Sequence, residues 1–208
     1  MDISLIIPCH NLENFINPLL VSLQLQVFSN LKAELIFVCD GCSDNTAEKI
    51  KAFNFDNYEN VKIIEVEVYS CGLARNEGMK EATGELIWFL DGDDWLTYPF
   101  AIESVVEFML KEKNDSKIIK VAYDCPPFFY AKGHPAMVWQ YVYRRDLIET
   151  IKFSGIQPNE DLVFNQEVGR RVGGFEKIPK IGKPLYYYNF MRSGSNMQQF
   201  ITKGKIDP

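Results

Sequence analysis

Three carboxylates lie within four residues at Asp91-Gly92-Asp93-Asp94, directly after the apolar run 86–90. Such crowding is electrostatically costly without a cation, and oxygen ligands of this kind suit Mg²⁺ or Mn²⁺, which can also bridge the phosphates of a nucleotide. The alternative is an Asp-Gly turn with solvated acids, which is common after a strand. From the residues alone both interpretations stay open, with Asp94 expected to point away from Asp93.

A second acidic pair, Glu160-Asp161, comes just before the apolar run 162–164. A carboxylate at this position can act as a general base and take the proton of an attacking hydroxyl. Acids are also favoured in the first turn of any helix because they interact well with the helix dipole. From the residues alone the structural interpretation of the pair is preferred over the catalytic one.

Cys39-Asp40-Gly41-Cys42 forms a C-x-x-C motif between a predicted strand and a predicted helix, where thioredoxin-like oxidoreductases carry theirs. Cys9 and Cys71 also follow apolar runs, so zinc binding is a second alternative, although the spacing matches no zinc ribbon or finger. Five cysteines in a chain of this length fit reduced thiols better than a disulfide framework.

The elements that must position these residues alternate along the chain. Apolar runs predict strands at 3–7, 34–39, 61–66, 85–90 and 118–122, and amphipathic stretches predict helices at 13–28, 45–53, 74–82 and 99–113. Such alternation predicts right-handed crossovers and a parallel sheet covered on both faces. After residue 124 the pattern changes to a strand at 137–143 in an antiparallel addition, a helix at 160–171 and a strand at 185–190.

Ligands of open parallel sheets bind beyond the carboxyl ends of the strands. In this chain those ends carry the segments 8–11, 40–44, 70–72 and 91–94. The acidic cluster is therefore expected at the ligand-binding edge of a mixed, mostly parallel α/β sheet.

Composition excludes several functional classes. The 208 residues are 47% hydrophobic and 24% charged, which fits one folded domain. A net charge of −6 disfavours a protein held to nucleic acid mainly by phosphate neutralisation. The apolar runs are far shorter than the roughly 20 residues that cross a bilayer, and the N-terminus lacks the basic start of a secretory signal. The expected location is the cytoplasm, free or peripheral to the inner face of the membrane.

Six segments, in order, resemble the inverting nucleotide-sugar glycosyltransferases of the GT-A fold, family 2, which build bacterial surface polysaccharides. The matching segments are 4–11, 38–46, 72–96, 137–148, 158–165 and 186–196. The most specific is GLARNEGMKEATGELIWFLDGDDWL at 72–96, which joins an arginine-bearing helix to the acidic strand end. The resemblance implies one GT-A domain over 1–208, with a donor half at 1–96 and an acceptor half at 97–208.

On the donor side, the resemblance implies a nucleoside diphosphate sugar, usually a UDP-sugar, held through Mn²⁺ or Mg²⁺. Asp93 would be the metal ligand, with Asp91 facing the ribose or assisting the metal. Asp40 and Arg75 would contact the base. The remaining donor-site residues implied by the resemblance are Pro8, His10, Asn11, Gly92, Arg192 and Ser193, the last two in a C-terminal loop that closes over the diphosphate.

Two positions depart from the family pattern. His10 replaces a tyrosine that often packs against the base, and Cys39 replaces the first of two acids before Gly41. Alternatives also exist for single residues: His10 as a hydrogen-bonded loop residue, Arg75 as a surface helix residue paired with Glu77 or Glu81, and Arg192 as a solvated loop cation.

On the acceptor side, the resemblance makes Asp161 the general base and Glu160 a residue that orients it, with Trp139 at the floor of the acceptor pocket or, alternatively, in the aromatic core. The implied activity is metal-dependent transfer, with inversion, to a hydroxyl of a glycan or glycolipid. Two other functions remain open at this point: a non-catalytic relative that binds nucleotide sugars, and a glycosyltransferase acting on modified nucleic-acid bases.

Overall fold

The structure is a computed structural model that describes residues 1–111, 116–125, 137–155 and 159–189. Within these residues the chain forms eight strands and six α-helices. The strands are β1 (Ile3–Cys9), β2 (Ala33–Asp40), β3 (Asn60–Val66), β4 (Leu86–Phe89), β5 (Trp95–Leu96), β6 (Ile118–Asp124), β7 (Tyr141–Arg144) and β8 (Lys180–Tyr187). The helices are α1 (Asn17–Gln24), α2 (Thr46–Lys51), α3 (Cys71–Glu81), α4 (Ala101–Val106), α5 (Arg145–Ile148) and α6 (Glu160–Val172).

The described strands form one sheet in the order β3-β2-β1-β4-β7-β6-β8-β5. The first four of these neighbours are all parallel. β7 runs antiparallel to both β4 and β6, whereas β6 and β8 are parallel and β5 is antiparallel to β8. The prediction of a mixed, mostly parallel α/β sheet with antiparallel additions in the second half is confirmed.

Helices cover both faces of the parallel half, because successive side chains of a strand point to opposite faces. In β1, Leu5 and Ile7 pack into a core cluster with the leucines of α1. Ile6, between them, packs into a second cluster with Ala74 of α3 and Phe164 of α6. Burial on both faces explains why these strands are continuous apolar runs rather than alternating ones.

Helix boundaries differ from the predictions at identifiable residues. The helix predicted at 13–28 is the shorter α1, which has Pro18 in its first turn, a position where the missing N–H and the restricted φ of proline favour a helix start. The helix predicted at 74–82 begins earlier, at Cys71, because Ser70 Oγ accepts from the backbone N–H of Leu73 at 3.5 Å and caps it.

Two further elements are divided differently from the predictions. The segment predicted as a strand at 137–143 contains a 3₁₀ turn, Val138–Gln140, before β7 begins. α4 continues as a π-helical turn over Glu107–Lys111. Together the two elements form most of the helix predicted at 99–113. None of the helices in the described ranges is long and apolar enough to cross a membrane.

Candidate active site

The carboxyl ends of β1 and β2 are bonded to each other. His10 Nδ1 lies 2.6 Å from the carbonyl oxygen of Asp40, which can only accept, so the ring donates this hydrogen bond. Asn11 has a positive φ of 50° and its Oδ1 accepts from the backbone N–H of Ser43 at 2.8 Å. The predicted convergence of polar residues at this edge is confirmed, and His10 makes the hydrogen bond expected of a loop residue. Whether His10 and Asn11 contact a donor stays a prediction.

Arg75 joins two carboxylates that are far apart in the sequence. Its Nη2 lies 2.7 Å from Asp91 Oδ1 and its Nη1 lies 2.8 Å from Asp161 Oδ1. Only 2% of Arg75 is exposed, and its guanidinium lies 5.4 Å from the centre of the Phe153 ring. The alternative of a surface arginine paired with Glu77 or Glu81 is therefore wrong. The acidic strand end and the start of α6 belong to one buried cluster.

Asp161 is held on both carboxylate oxygens. Oδ1 is bonded to Arg75, and Oδ2 accepts from the backbone N–H of Val138 at 3.1 Å. The side chain is 14% exposed, and its burial raises the pKa of Asp161 to about 6, although the charge of Arg75 acts in the opposite direction. Asp161 is therefore a fixed carboxylate that loses its charge in mildly acidic solution.

The acidic turn after β4 is bonded to the end of β8. The backbone N–H of Asp91 donates to Tyr186 Oη at 3.1 Å, and Tyr186 in turn donates to Asp94 Oδ2 at 2.5 Å. Asp94 is buried and also accepts from the backbone N–H of Asn189 at 2.7 Å, so its carboxylate serves the packing of the turn. This structural role of Asp94 was not predicted, since nothing in the sequence identifies a partner 92 positions away.

Gly92 packs closely against the end of β1. A Cβ at Gly92 would lie 2.4 Å from Leu12 Cδ1 and 3.2 Å from the carbonyl oxygen of Pro8. Pro8 and Gly92 are therefore packed together at the predicted donor edge. Their contact with a donor stays a prediction.

Asp91 and Asp93 fit a divalent cation that is shared with a ligand better than one enclosed by protein. In the part of the chain that the structure describes, no three His, Cys, Asp or Glu side chains are grouped to hold a metal ion. The side chain of Asp91 is 26% exposed and Asp93 is half-buried, so both carboxylates reach the surface of the same turn. Mg²⁺ and similar ions are commonly held by one or two carboxylates together with substrate phosphates, which is the donor set available here.

Asp40 uses both oxygens to shape the loop that follows β3. Oδ1 accepts from the backbone N–H groups of Val68 and Tyr69 at 2.7 and 2.8 Å, and Oδ2 accepts from that of Ser70 at 2.8 Å. This role is additional to the predicted base contact, which no observation tests. The sequence contained no sign of it, because the three donors are distant backbone groups.

Trp139 belongs to an aromatic cluster. It is 1% exposed and stacks on Tyr186 at 4.6 Å and on Tyr188 at 5.0 Å between ring centres. This burial favours the alternative of a core residue, and its contact with an acceptor stays a prediction. Arg192 and Ser193 lie outside the described residues.

Glu160 begins α6 beside the start of α3. Its Oε2 is buried and has no hydrogen-bond partner among the described residues. A Cβ at Gly72 would lie 3.1 Å from Glu160 Cβ, so α3 and α6 meet closely at this point. The packing fits both the orienting role and the helix-start role of Glu160.

The three cysteines at the ends of β1 and β2 are hydrogen-bonded rather than linked. The thiols of Cys39 and Cys42 are hydrogen-bonded to each other, and Cys42 Sγ donates to the carbonyl oxygen of Cys9 at 3.4 Å. The bond from Cys39 lowers the pKa of Cys42 to about 7. All five cysteines are free.

Thiol titration of the denatured protein without reductant is expected to count five thiols, and chelation to release no zinc. In the native protein, Cys42 should be alkylated first near neutral pH, because its thiol is partly exposed and has a lowered pKa. A shortfall of two thiols, or stoichiometric zinc, would instead support the redox or zinc interpretation of the C-x-x-C motif.

Comparison with known proteins gives one family match and several similar structures. The family model described as Glycosyl transferase family 2 matches residues 4–171. The poly(ribitol-phosphate) beta-glucosyltransferase of Bacillus spizizenii is 38% identical over 231 aligned positions, which cover 95% of this chain and 33% of that protein.

Two solved structures have a similar fold at low identity. Staphylococcus aureus TarS 1–349 in complex with UDP-GlcNAc gives a TM-score of 0.79 at 23% identity, covering 95% of this chain and 61% of that one. The mannosyltransferase PcManGT from Pyrobaculum calidifontis, in complex with GDP-Man and Mn²⁺, gives a TM-score of 0.70 at 17% identity. The match covers 92% of this chain and 58% of that one. The chain spans less than two thirds of the length of each of these three proteins.

Proposed function

The chain belongs to glycosyl transferase family 2, and from this premise we propose that it transfers a sugar from a nucleoside diphosphate donor, a UDP-sugar, to an acceptor hydroxyl with inversion at the anomeric carbon. Residues 1–96 would bind the donor and residues 97–208 the acceptor. A relative that acts on poly(ribitol-phosphate) supports an acceptor hydroxyl on a glycan, a glycolipid or a similar polymer.

The observation that carries this proposal is the pair of salt bridges made by Arg75. Direct displacement needs negative charge to be stabilised on the departing diphosphate and a proton to be removed from the attacking hydroxyl. Asp91, at the donor edge of the sheet, and Asp161, at the start of α6, contact the same guanidinium at 2.7 and 2.8 Å. The carboxylate that would hold the cation for the first task and the carboxylate that would take the proton in the second are thus neighbours in one cluster.

Asp161 takes the proton of the acceptor hydroxyl as that oxygen attacks the anomeric carbon. A pKa of about 6 leaves it ionised at neutral pH while keeping its proton affinity above that of an ordinary aspartate. Bases with a pKa near the working pH are the most effective. Arg75 and the N–H of Val138 fix the plane of the carboxylate, so the base is oriented before substrate arrives.

Asp93 and Asp91 would hold Mn²⁺ or Mg²⁺, which when bound supplies positive charge to the diphosphate leaving group. A fold neighbour that contains Mn²⁺ with its nucleotide sugar supports this assignment. The protein's own part is to present two carboxylates on a turn that Asp94 bonds to Tyr186 and Asn189.

UDP binding is expected to require a divalent cation. In calorimetry, EDTA or the substitution Asp93→Ala should weaken UDP by more than about tenfold, since even the partners of metal ligands typically contribute that much. Asp56→Ala is the matched control, because Asp56 is exposed before β3 at the opposite edge of the sheet. Equal UDP affinity with EDTA, or in Asp93→Ala, contradicts the metal assignment. Asp94→Ala is unsuitable as a control, since it removes the bonds to Tyr186 and Asn189.

The activity itself is tested by a thermal-shift panel of nucleotide sugars with and without Mn²⁺, followed by donor hydrolysis with the best binder. Specific binding to the native state raises its stability by mass action. Stabilisation by one nucleotide sugar and slow release of its nucleoside diphosphate are expected. A protein that binds the donor without releasing product in any acceptor mixture would be a non-catalytic relative instead.

A further inference from the structure

Tyr69 is an exposed aromatic residue in a strained backbone conformation at the donor edge of the sheet. Its φ is +49°, which bulky residues rarely adopt. At 66% exposure it is the most exposed aromatic side chain in the described residues. Within those residues its hydroxyl makes no hydrogen bond and its ring stacks on no other ring. Neither hydrophobic burial nor a polar contact explains why a tyrosine stands here.

The surroundings of Tyr69 hold it in this conformation. Its backbone N–H and those of its two neighbours all bind the Asp40 carboxylate, at 2.7 to 2.8 Å. Strained conformations persist where neighbouring groups over-determine them, and they concentrate at functional sites. Three hydrogen bonds to one buried carboxylate are such a case.

One edge of the Tyr69 ring lies over Gly41. A Cβ at Gly41 would be 2.4 Å from Tyr69 Cε1, so the ring packs directly against the glycine backbone. His10 reaches the same turn through its bond to the carbonyl of Asp40. His10, Gly41 and Tyr69 thus lie together at the carboxyl ends of β1 and β2.

We propose that Tyr69 is a binding residue for the nucleobase of the donor, with its ring as a stacking surface that Asp40 holds in place. The inference rests on the proposed function, because it assumes a nucleotide at this edge. Aromatic stacking tolerates different bases, so Tyr69 supplies affinity, whereas base selectivity must come from polar groups nearby. Asp40 then contributes to base binding through Tyr69, as a positioning residue.

The test compares ligands with and without a base. Calorimetry in Mn²⁺ measures UDP and inorganic pyrophosphate with the wild type, Tyr69→Phe, Tyr69→Ala and Tyr69→Gly. Tyr69→Ala and Tyr69→Gly are expected to weaken UDP by about 5- to 100-fold, as loss of one stacked base does, and to leave pyrophosphate affinity unchanged. Tyr69→Phe keeps the ring and should bind both ligands as the wild type does.

The unfolding temperature is a second measurement, which should not fall in Tyr69→Gly although UDP affinity does. Glycine adopts positive φ without steric cost, so Tyr69→Gly should unfold at a temperature no lower than the wild type while it loses UDP affinity. Phe100→Ala is the matched control, because Phe100 is also an exposed aromatic residue. The backbone N–H of Val27 donates to the carbonyl oxygen of Pro99, which places Phe100 near the loop leading into β2, at the opposite edge of the sheet from the donor edge. Its UDP affinity should not change.

The outcomes separate the inference from the function. Unchanged UDP affinity in Tyr69→Ala overturns the inference and leaves the proposed function intact. An equal loss of UDP and pyrophosphate also overturns it, since Tyr69 would then only shape the loop. A wild type that binds neither UDP nor GDP overturns the proposed function and the inference with it.

Discussion

Asp161→Asn is expected to lower turnover by about 10²- to 10⁴-fold and to leave UDP affinity nearly unchanged. Asparagine keeps the shape of the side chain but cannot accept a proton in the transition state. Donor affinity should not follow turnover, because in the proposed mechanism the base faces the acceptor hydroxyl. Both quantities are measured on the same preparation, with slow donor hydrolysis as the assay where no acceptor is known.

The contacts of Asp161 define the controls. Arg75 and the N–H of Val138 donate to different oxygens of Asp161, and asparagine replaces one of these oxygens with an NH₂ group that cannot accept. One of the two bonds is therefore lost, and a loss of about 1–3 kcal/mol in the free energy of unfolding is expected. Turnover is therefore compared well below the melting temperature of the variant. Glu160→Gln should be milder if Glu160 only orients its neighbour. Wild-type turnover in Asp161→Asn with loss in Glu160→Gln would reverse the two roles, and wild-type turnover in both would leave them as helix-start acids.

Replacing Arg75 is expected to have the largest effect on stability. Arg75→Ala leaves two acids in the cluster without their cation, and breaking a buried pair in this way costs about 3–5 kcal/mol. The lower end is expected, because Asp91 is a quarter exposed and solvent screens part of its charge. Chemical denaturation measures the change. Arg170→Ala is the matched control, since Arg170 forms an exposed pair with Glu167 that should contribute little.

The pH dependence of turnover tests the role of Arg75 independently of stability. Wild-type turnover should fall as pH falls through about 6, where Asp161 gains its proton. Arg75 lowers the pKa of Asp161, so its removal should move this acidic limb to higher pH. Arg75→Lys keeps a charge but not the planar fork, and should lie between the wild type and Arg75→Ala. An Arg75→Ala protein with wild-type stability and an unmoved limb would contradict the buried cluster.

The position of the candidate site at the carboxyl edge was predictable from the sequence because strand ends are local features. The apolar runs end at Pro8, Asp40 and Asp91, and the rule that ligands bind at the carboxyl edge of a parallel sheet required nothing further. The helix starts were less predictable, since that of α3 depends on whether Ser70 Oγ reaches a particular N–H. Single hydrogen bonds of this kind have no periodic pattern in the sequence.

The connections within the site were not predictable from residue patterns. Arg75 binds acids 16 and 86 positions away, and only the packing of α3 against α6 brings the second of them into reach. Similarly, the positive φ of Tyr69 has no signature in the sequence, because it is imposed by hydrogen bonds to a carboxylate 29 positions earlier. Residue types at strand ends indicate where chemistry occurs, whereas partners depend on tertiary distances.

The shared counter-ion has a thermodynamic consequence, because it couples cation binding to protonation. Asp91 and Asp161 share one guanidinium, so a cation bound at Asp91 in the proposed mechanism would change the proton affinity of Asp161. Linkage makes this coupling reciprocal: protonation of Asp161 changes cation affinity by the same factor. In the proposed mechanism, the cation affinity at Asp91 and the pKa of Asp161 therefore report the same coupling free energy, and each can be measured through the other.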